Sequence, residues 1–236
     1  MRVANCVLDI ETAPLPEAEV TPALAASLKD RSEEDEDWRE QLGLYALGAR
    51  VVTIGLFSPE TRRAAMLYDD RHGKVESITS PEGVEQVSLV GGDEKAILHE
   101  FWDMITRFQT IVTYNGRGFD IPFLLQRSLL NEVQVSRNLM PPRFSAIREH
   151  MDLAEVLSQF RATRPYGLEA WSQATGVASP KEGEVTGAGV GKAFEEGRTK
   201  EIVEYCLRDV VATAHIAAKV SQSWGRAMNL PSIRFK

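Results

Sequence analysis

The sequence predicts an α/β protein built on a central mixed sheet flanked by helices. Three observations favour this class. The chain opens with an apolar, strand-like run at residues 3–12, and two further strand-like segments follow at residues 50–58 and 63–69. From Asp93 onward, strands and helices alternate, which is typical of a sheet whose later strands are parallel. A length of 236 residues with 43% hydrophobic residues suffices for one generous domain.

The first half of the chain predicts an antiparallel meander. Residues 13–48 interrupt it as an insertion with one or two short helices, and the acidic run at residues 30–40 is interpreted as a solvated face without chemistry. The strands at residues 50–58 and 63–69 are joined by a turn at residues 58–60, and a third strand at residues 84–90 ends at Gly91 and Gly92.

The second half predicts helices separated by short strands. Asp93 is a candidate N-cap for a helix whose apolar stripe is Ile97, Phe101, Ile105 and Phe108. A strand at residues 111–114 breaks at Asn115 and Gly116. We then expect helices at 120–130, 151–160 (after a short strand-like piece), 168–175 and 200–223, with a glycine-rich loop at 179–192 before the last.

Composition and charge narrow the class of protein. The net charge is −7, but residues 1–116 hold 21 acids and 11 bases, while residues 117–236 hold 13 acids and 16 bases. The second half therefore suits a phosphate chain, although an ordinary solvated surface explains the counts equally well. No apolar run is long enough to span a bilayer and no signal peptide precedes the first strand, so we expect a soluble, cytoplasmic protein without membrane contact. Cys6 and Cys206 lie in apolar patterns typical of buried free thiols.

Two acids end the first strand. Side chains alternate along a strand, so Asp9 and Glu11 fall on one face, roughly 7 Å apart by rise. Carboxylates crowded at the end of a buried strand repel each other and lose hydration, so they either take up protons or bind cations. A divalent metal site is one interpretation, and the alternative is that Glu11 only marks the start of a loop.

Two distant segments have the same acidic character. Asp120 opens a helix after a glycine-containing turn, where an acid is otherwise commonly an N-cap. Tyr205 and Asp209 are four residues apart on the last helix, which places the phenol and the carboxylate side by side on one face.

Together these residues resemble a known set of motifs. Asp9-x-Glu11, Asn115-x-x-x-Phe119-Asp120 and Tyr205-x-x-x-Asp209 are similar to the three exonuclease motifs of the DEDD superfamily of 3′-5′ exonucleases. The likeness is to the proofreading domain of family-B DNA polymerases and its stand-alone bacterial relatives, and it extends over residues 3–215. Tyr205 indicates the tyrosine subgroup, because Glu204 stands where the histidine subgroup carries its base. The resemblance implies a ribonuclease H-like fold and a single exonuclease domain over residues 1–236.

The resemblance also implies roles for these residues. Two divalent ions, Mg²⁺ or Mn²⁺, would be held by the four acids: Asp9 bridging both, Glu11 and Asp209 completing one site, and Asp120 holding the second partly through water. Tyr205 would orient the attacking water. Asn115 and Phe119 match positions near the terminal nucleotide, although Phe119 is equally a core residue. Lys181 matches a phosphate-contacting lysine, or is a surface lysine without a role.

Other patterns predict less. Residues 187–193 are one residue short of a P-loop and lack the Ser or Thr after the lysine, so we interpret them as part of a mobile loop that closes over substrate. His150 and Asp152 suggest acid-base chemistry but are more typical of a structural pair. Several arginines are candidates for a strand-binding groove: Arg137, Arg143, Arg148, Arg161 and Arg164.

The sequence thus predicts a metal-dependent 3′-5′ exonuclease acting on single-stranded 3′ ends. DNA is favoured as the substrate and RNA is possible, and the product is a nucleoside 5′-monophosphate. The chain is too short to include a fused polymerase domain, and the sequence does not identify protein partners. Two alternatives stay open: a nucleic-acid-binding or partner-recruiting module on the same fold without turnover, and an exoribonuclease of the same superfamily, since 2′-hydroxyl contacts cannot be located from the sequence.

Overall fold

Six strands form one mixed sheet in a computed structural model that describes residues 3–31, 37–179 and 185–235. The strands are β1 (Val3–Pro14), β2 (Ala49–Ser58), β3 (Arg63–Asp69), β4 (Gln86–Gly92), β5 (Phe108–Thr113) and β6 (His150–Asp152). Their order across the sheet is β4-β3-β2-β1-β5-β6. The long strand β1 therefore lies inside the sheet, between its antiparallel and its parallel parts.

The strand directions agree with the expected plan except at one edge. β2 pairs antiparallel with both β1 and β3, and β5 and β6 continue parallel to β1. The third strand was predicted to continue the antiparallel meander. This was wrong, because β4 runs parallel to β3, with Arg63 opposite Gln86. Residues 70–85 make the difference: they are long enough to carry the chain back to the start of β3, as a parallel pair requires.

The helices cover both faces of the sheet. They are α1 (Pro22–Arg31), α2 (Glu94–Ile105), α3 (Asp120–Leu130), α4 (Leu153–Leu157), α5 (Leu168–Thr175), α6 (Val190–Glu195) and α7 (Thr199–Met228), with 3₁₀ turns at Glu17–Glu19, Trp38–Leu44 and Gly187–Gly189. None of the helices in the described part of the chain has the length and apolar character needed to cross a bilayer.

Several helix predictions are confirmed at their ends. Asp93 caps α2, and its carboxylate accepts a hydrogen bond from the Ala96 amide. α5 ends at Gly176, which adopts the left-handed conformation (φ 66°) that favours glycine. The predicted insertion carries α1 and two short 3₁₀ turns, while residues 32–36 of its acidic run lie outside the described residues.

Other boundaries were wrong. The helix expected at residues 151–160 is only α4, because Gln159, Phe160 and Arg161 all have positive φ. Part of the expected glycine-rich loop is α6, whose Val190, Ala193 and Phe194 are buried. Strand β5 begins at Phe108, a residue that was predicted to belong to the apolar stripe of the preceding helix.

Two hydrophobic cores lie on opposite faces of the sheet. One packs α2 and α3 against a face of the sheet that includes Leu8 and Ile10. The other packs α7 against the face that includes Val7 and Phe57. Because side chains alternate along β1, Asp9 and Glu11 project from the same face as Val7. The fold therefore places both acids under α7.

Candidate active site

The first two acids lie where β1 leaves its regular pairing. Asp9 is opposite Gly55 of β2 and Glu11 is opposite Thr53, and the register shifts between Glu11 and Thr12. Glu11 is buried and Asp9 is half-buried. The strand thus presents two carboxylates on the side facing α7, as the period-two pattern predicted.

Gly55 determines how closely α7 approaches this strand pair. A Cβ atom at position 55 would lie 2.8 Å from Cys206 Sγ and 3.2 Å from Val210 Cγ1, both on α7. The missing side chain lets the helix rest directly on β2. Cys206 Sγ consequently lies 3.7 Å from Asp9 Oδ2, and the same turns of α7 bring Tyr205 and Asp209 over the acids of β1.

Asp120 reaches the cluster from the other side of β1. The last β1–β5 pair is Val7 with Val112, so β1 runs on beyond the end of β5. Its exposed edge would leave the Ile10 amide without a partner, and Asp120 Oδ1 accepts that hydrogen bond at 3.0 Å. Asp120 is therefore a structural cap for the edge of β1 as well as the first residue of α3.

The turn before Asp120 is held by a buried carboxylate. Asn115 adopts a positive φ of 62°. Asp152, at the end of β6, accepts hydrogen bonds of 2.9 Å from the amides of Asn115 and Arg117. Its Oδ1 also accepts from the Ala154 amide at the start of α4. This one side chain fixes the turn that aims Asp120 at β1.

The acids raise one another's pKa. Burial raises the pKa of Asp9 well above its usual range, and the charges of Asp120, Asp209 and Glu11 raise it further. Burial, Asp209 and Asp120 do the same for Glu11. The pKa of Asp120 is raised to about 7, mainly by burial and despite its hydrogen bonds to backbone amides. Acids with such pKa values favour bound protons or a cation over free carboxylates.

The donor set fits a divalent cation. Ligand atoms of Asp9, Glu11 and Cys206 lie within 4.8 Å of one another, and Asp120 and Asp209 act on that group electrostatically. No lysine or arginine among the described residues forms an ion pair with Asp9, Glu11 or Asp120. Carboxylate oxygens are the ligands that Mg²⁺ and Mn²⁺ prefer, so the arrangement suits those ions.

Tyr205 lies beside this acidic group. Burial raises the pKa of its hydroxyl, and the charges of Asp209, Glu11 and Asp9 and a hydrogen bond with Asp209 raise it further. The hydroxyl therefore remains protonated at neutral pH. The guanidinium of Arg208 lies 5.9 Å from the centre of the phenol ring.

The segment before α7 forms a wall next to Tyr205. Val190, Ala193 and Phe194 pack with Tyr205 in one buried cluster. A Cβ at Gly187 would lie 3.6 Å from the Tyr205 hydroxyl, so the backbone passes close to that oxygen. Lys181, the predicted phosphate contact, lies outside the described residues, and its role stays a prediction.

The other two predicted substrate contacts lie at the turn before α3. Asn115 is exposed, and its Oδ1 would be 2.7 Å from a Cβ at Gly118. Phe119 is half-buried, with its ring centre 5.4 Å from that of Phe123. Phe119 also lines a cavity of about 260 Å³ together with Leu44 and Leu47 of the insertion. The geometry is compatible with a nucleotide contact, which stays a prediction.

The comparison with protein families decides the assignment. Residues 50–227 match a family described as a predicted 3′-5′ exonuclease related to the exonuclease domain of PolB. The chain belongs to this family. The matched span includes Asp120, Tyr205 and Asp209, while Asp9 and Glu11 precede it, so the fold is what joins these two acids to the family's part of the chain.

A solved structure shows the same fold as this exonuclease family member. The chain is similar to the family B DNA polymerase from the hyperthermophilic archaeon Pyrobaculum calidifontis, with a TM-score of 0.56 and 19% identity. The similarity covers 92% of this chain but 24% of the polymerase, so the chain spans about a quarter of that protein's length. The expected mixed sheet of ribonuclease H-like type is thereby confirmed.

Sequence reasoning missed three residues that shape the candidate site. Cys206 was expected only as a buried thiol, but its place beside Tyr205 and three residues before Asp209 already indicated the same helix face. Gly55 gave no signal, since a glycine inside a strand acquires its meaning from the helix above it. Asp152 was weighed together with His150 and not with the turn it holds.

His150 has the structural role that the sequence favoured. Its Nδ1 lies 2.8 Å from the Leu139 carbonyl, which can only accept, so Nδ1 carries the proton. Its Nε2 then accepts from Thr113 Oγ1 at 2.9 Å. Burial lowers its pKa to about 4. The ring is neutral, and it ties β6 to β5 without facing the acids.

Proposed function

We propose that this protein is a metal-dependent 3′-5′ exonuclease that hydrolyses phosphodiester bonds at single-stranded 3′ ends and releases nucleoside 5′-monophosphates. One observation carries the proposal: carboxylates from β1, α3 and α7 converge in a buried group whose members raise one another's pKa. DNA is the favoured substrate, because both the family description and the similar structure refer to a DNA polymerase.

The acids would hold two divalent ions, Mg²⁺ or Mn²⁺. Asp9, Glu11 and Asp209 would supply the ligands on the α7 side, and Asp120 would supply one from α3. When bound, such ions lower the pKa of a water molecule and stabilise the charge that develops on the phosphodiester. The hydrogen bond from the Ile10 amide fixes the orientation of the Asp120 carboxylate.

Tyr205 would position the attacking water in this scheme. Its raised pKa keeps the proton on the hydroxyl at neutral pH, so the phenol acts as a hydrogen-bonding group and not as a base. Asn115 and Phe119 would contact the terminal nucleotide, and Phe119 offers a surface on which a base can stack. Lys181 would contact a phosphate.

A direct assay tests the proposal. A 5′-labelled single strand, supplied as DNA and as RNA, is incubated with Mg²⁺ or Mn²⁺ and with a chelator. We expect a ladder that shortens from the 3′ end, is lost with the chelator and with Asp9→Asn, and is faster on DNA. Binding without shortening would instead support a non-catalytic module, and faster shortening of RNA would support an exoribonuclease.

A further inference from the structure

The structure separates the candidate arginines into two groups. Arg137 donates hydrogen bonds to the carbonyls of Phe108 and Gln109, at the start of β5. Arg148 donates to the backbone and side chain of Asn229. Both are occupied in holding the fold. The remaining three, Arg143, Arg161 and Arg164, are exposed on the side of the molecule where β5 and β6 end.

A strained turn presents one of these arginines, Arg161. Gln159, Phe160 and Arg161 have consecutive φ values of 51°, 56° and 70°, a conformation that side chains other than glycine rarely adopt. Ser158 holds the turn in place. Its buried hydroxyl donates to the Ala154 carbonyl at 2.7 Å and accepts from the Arg161 amide at 3.1 Å. The turn is thus a built feature that ends α4 and directs Arg161 outward.

Aromatic residues lie next to these arginines along the chain. Phe144 is 70% exposed and Tyr166 is 61% exposed, and no other Phe, Tyr or Trp in the described residues is as open to solvent. Phe144 packs on Phe160 with ring centres 4.8 Å apart. Large rings left in solvent next to arginines are typical of surfaces that stack the bases of single strands.

This region adjoins the candidate active site. The Tyr114 hydroxyl donates to the Tyr166 carbonyl, and Tyr114 directly precedes Asn115 of the site turn. Arg143 Nε lies 2.8 Å from Glu155 Oε1. Glu155 follows closely on Asp152, which holds the same turn. A strand whose 3′ end lies at Asn115 would meet these residues next.

The charge of the region also suits a phosphate chain. Residues 156–168 contain two arginines and no acid, in a chain whose net charge is −7. The nearby Glu155 is paired with Arg143 and lies 3.8 Å from Arg117 Nε, so its charge is compensated. The basic excess of the second half of the chain is therefore concentrated here and not spread evenly.

We propose that these residues bind the single strand upstream of its 3′ end. The Arg–aromatic surface consists of Arg143, Phe144, Phe160, Arg161, Arg164 and Tyr166. The arginines contact phosphates and the rings stack bases, without reading the sequence or the 2′-hydroxyl. The inference rests on the proposed function, since it takes the strand to end at Asn115. It explains how an acidic protein holds a polyanion near four carboxylates.

Binding to labelled single strands in a chelator tests the charged part of the surface, because the strand then stays intact. Fluorescence anisotropy is measured with DNA and RNA for Arg161→Glu/Arg164→Glu and for the control Arg107→Glu/Arg226→Glu. The control changes the net charge equally, at exposed positions near the opposite end of the sheet. We expect the first pair to weaken binding at least about tenfold and to reduce the salt slope by about 0.7 per lost contact. Equal losses in both pairs would overturn the proposal.

The aromatic part is tested by removing single rings. Phe144→Ala and Tyr166→Ala should each weaken binding about tenfold, the usual effect of losing one stacked base. Leu129→Ala, which removes a side chain that is 79% exposed on α3, should have no effect. Tyr166→Phe should bind like the wild type, because the ring is retained. Unchanged binding by both alanine variants would exclude stacking on this surface.

Strand length separates this inference from the proposed function. With Mg²⁺, the Arg161→Glu/Arg164→Glu variant should shorten strands of about 4 nucleotides like the wild type, and show a raised KM with unchanged kcat on strands of about 16. A wild type that never shortens any strand, combined with selective loss of binding in this variant, would refute the exonuclease and keep the surface. A wild type that shortens strands, with equal KM in the variant, would refute the surface alone.

Discussion

The buried carboxylate of Glu94 and the acidic group around Asp9 and Glu11 lie on opposite faces of the sheet, and their surroundings differ. Glu94, at the start of α2, is 7% exposed and receives four hydrogen bonds: from the Val51 amide at 2.8 Å, from Arg127 Nε at 2.8 Å and a second Arg127 nitrogen at 2.6 Å, and from Asn131 at 3.1 Å. Glu11 is equally buried, but the charges that act most strongly on Asp9 and Glu11 among the described residues are those of other acids.

The difference separates structural from functional burial. A buried charge is tolerated when a base and hydrogen-bond donors compensate it, as Arg127 does for Glu94. Where the neighbouring groups are acids, the folded state is destabilised unless protons or cations are bound. Burial of a carboxylate alone therefore does not identify a functional site. The sign of the charges around the buried carboxylate distinguishes a functional site from a structural ion pair, and each prediction below tests that difference.

The largest effect should follow from Asp9→Asn. Activity should fall at least about a thousandfold, because a ligand of the proposed ions is lost. Stability in a chelator should stay equal or increase, because the substitution removes one of several repelling charges. Turnover of a labelled strand and thermal melting measure the two quantities. Asp103→Asn, at an exposed position of α2, is the control and should change neither.

The opposite pattern is expected for Arg127→Met. The substitution leaves Glu94 buried without its base, which should lower the free energy of unfolding by about 3 kcal/mol. Urea denaturation measures this loss. Activity per folded molecule should remain close to that of the wild type, since neither residue faces the acids. A stable Arg127→Met protein would show that the ion pair does not compensate Glu94.

Stability should depend on pH in a way that metal reverses. In a chelator the folded protein binds a proton on Asp120 up to about pH 7, while the unfolded chain loses it near pH 4. Stability contributed by this group is therefore complete below pH 4 and is lost as the pH rises through about 7. His150, whose pKa is lowered to about 4, acts with the opposite sign below about pH 6.5.

Comparison with Asp120→Asn isolates the contribution of that carboxyl group. Between about pH 4 and pH 8, the wild type should lose about 4 kcal/mol relative to the variant in a chelator. Excess Mg²⁺ should abolish this relative loss at pH 8, because the ion stabilises the ionised acids. Thermal melting at several pH values measures it. Parallel curves for the two proteins would mean that Asp120 ionises without cost in the folded state.

The smallest effect is expected for Tyr205→Phe. Losing one hydrogen bond to a positioned water should slow turnover about tenfold. Binding of Mn²⁺, followed by its paramagnetic effect on water relaxation, should be nearly unchanged because the four acids remain. An unchanged rate would remove the hydroxyl from the mechanism. A lost metal affinity would instead assign Tyr205 to the support of Asp209.

The sequence predicted those helix limits and side-chain faces that are determined by residues close together along the chain. α3 and α5 begin and end at the predicted residues because breakers such as Gly116 and Gly176 mark their limits. The acids of the candidate site could be predicted because their spacing along a strand and a helix defines a face. Both signals lie within a few residues, where side-chain periodicity and backbone preference act directly.

The features that the sequence did not predict depend on contacts between residues that are distant along the chain. The direction of β4 is set by how residues 70–85 cross the sheet, which no local pattern encodes. Helix α6 forms in a glycine-rich segment because Val190, Ala193 and Phe194 are buried against β1 and β2. The division of the arginines into fold-holding and exposed members likewise required knowing that Arg137 and Arg148 reach backbone carbonyls far along the chain.

Gly55 sets the distance between α7 and the sheet. A methyl group there would meet sulfur at 2.8 Å, so α7 would have to lift, taking Tyr205 and Asp209 with it. The width of the gap between helix and sheet is thus controlled from a position that has no side chain. A substitution at Gly55 would therefore displace two groups of the candidate site without replacing either of them.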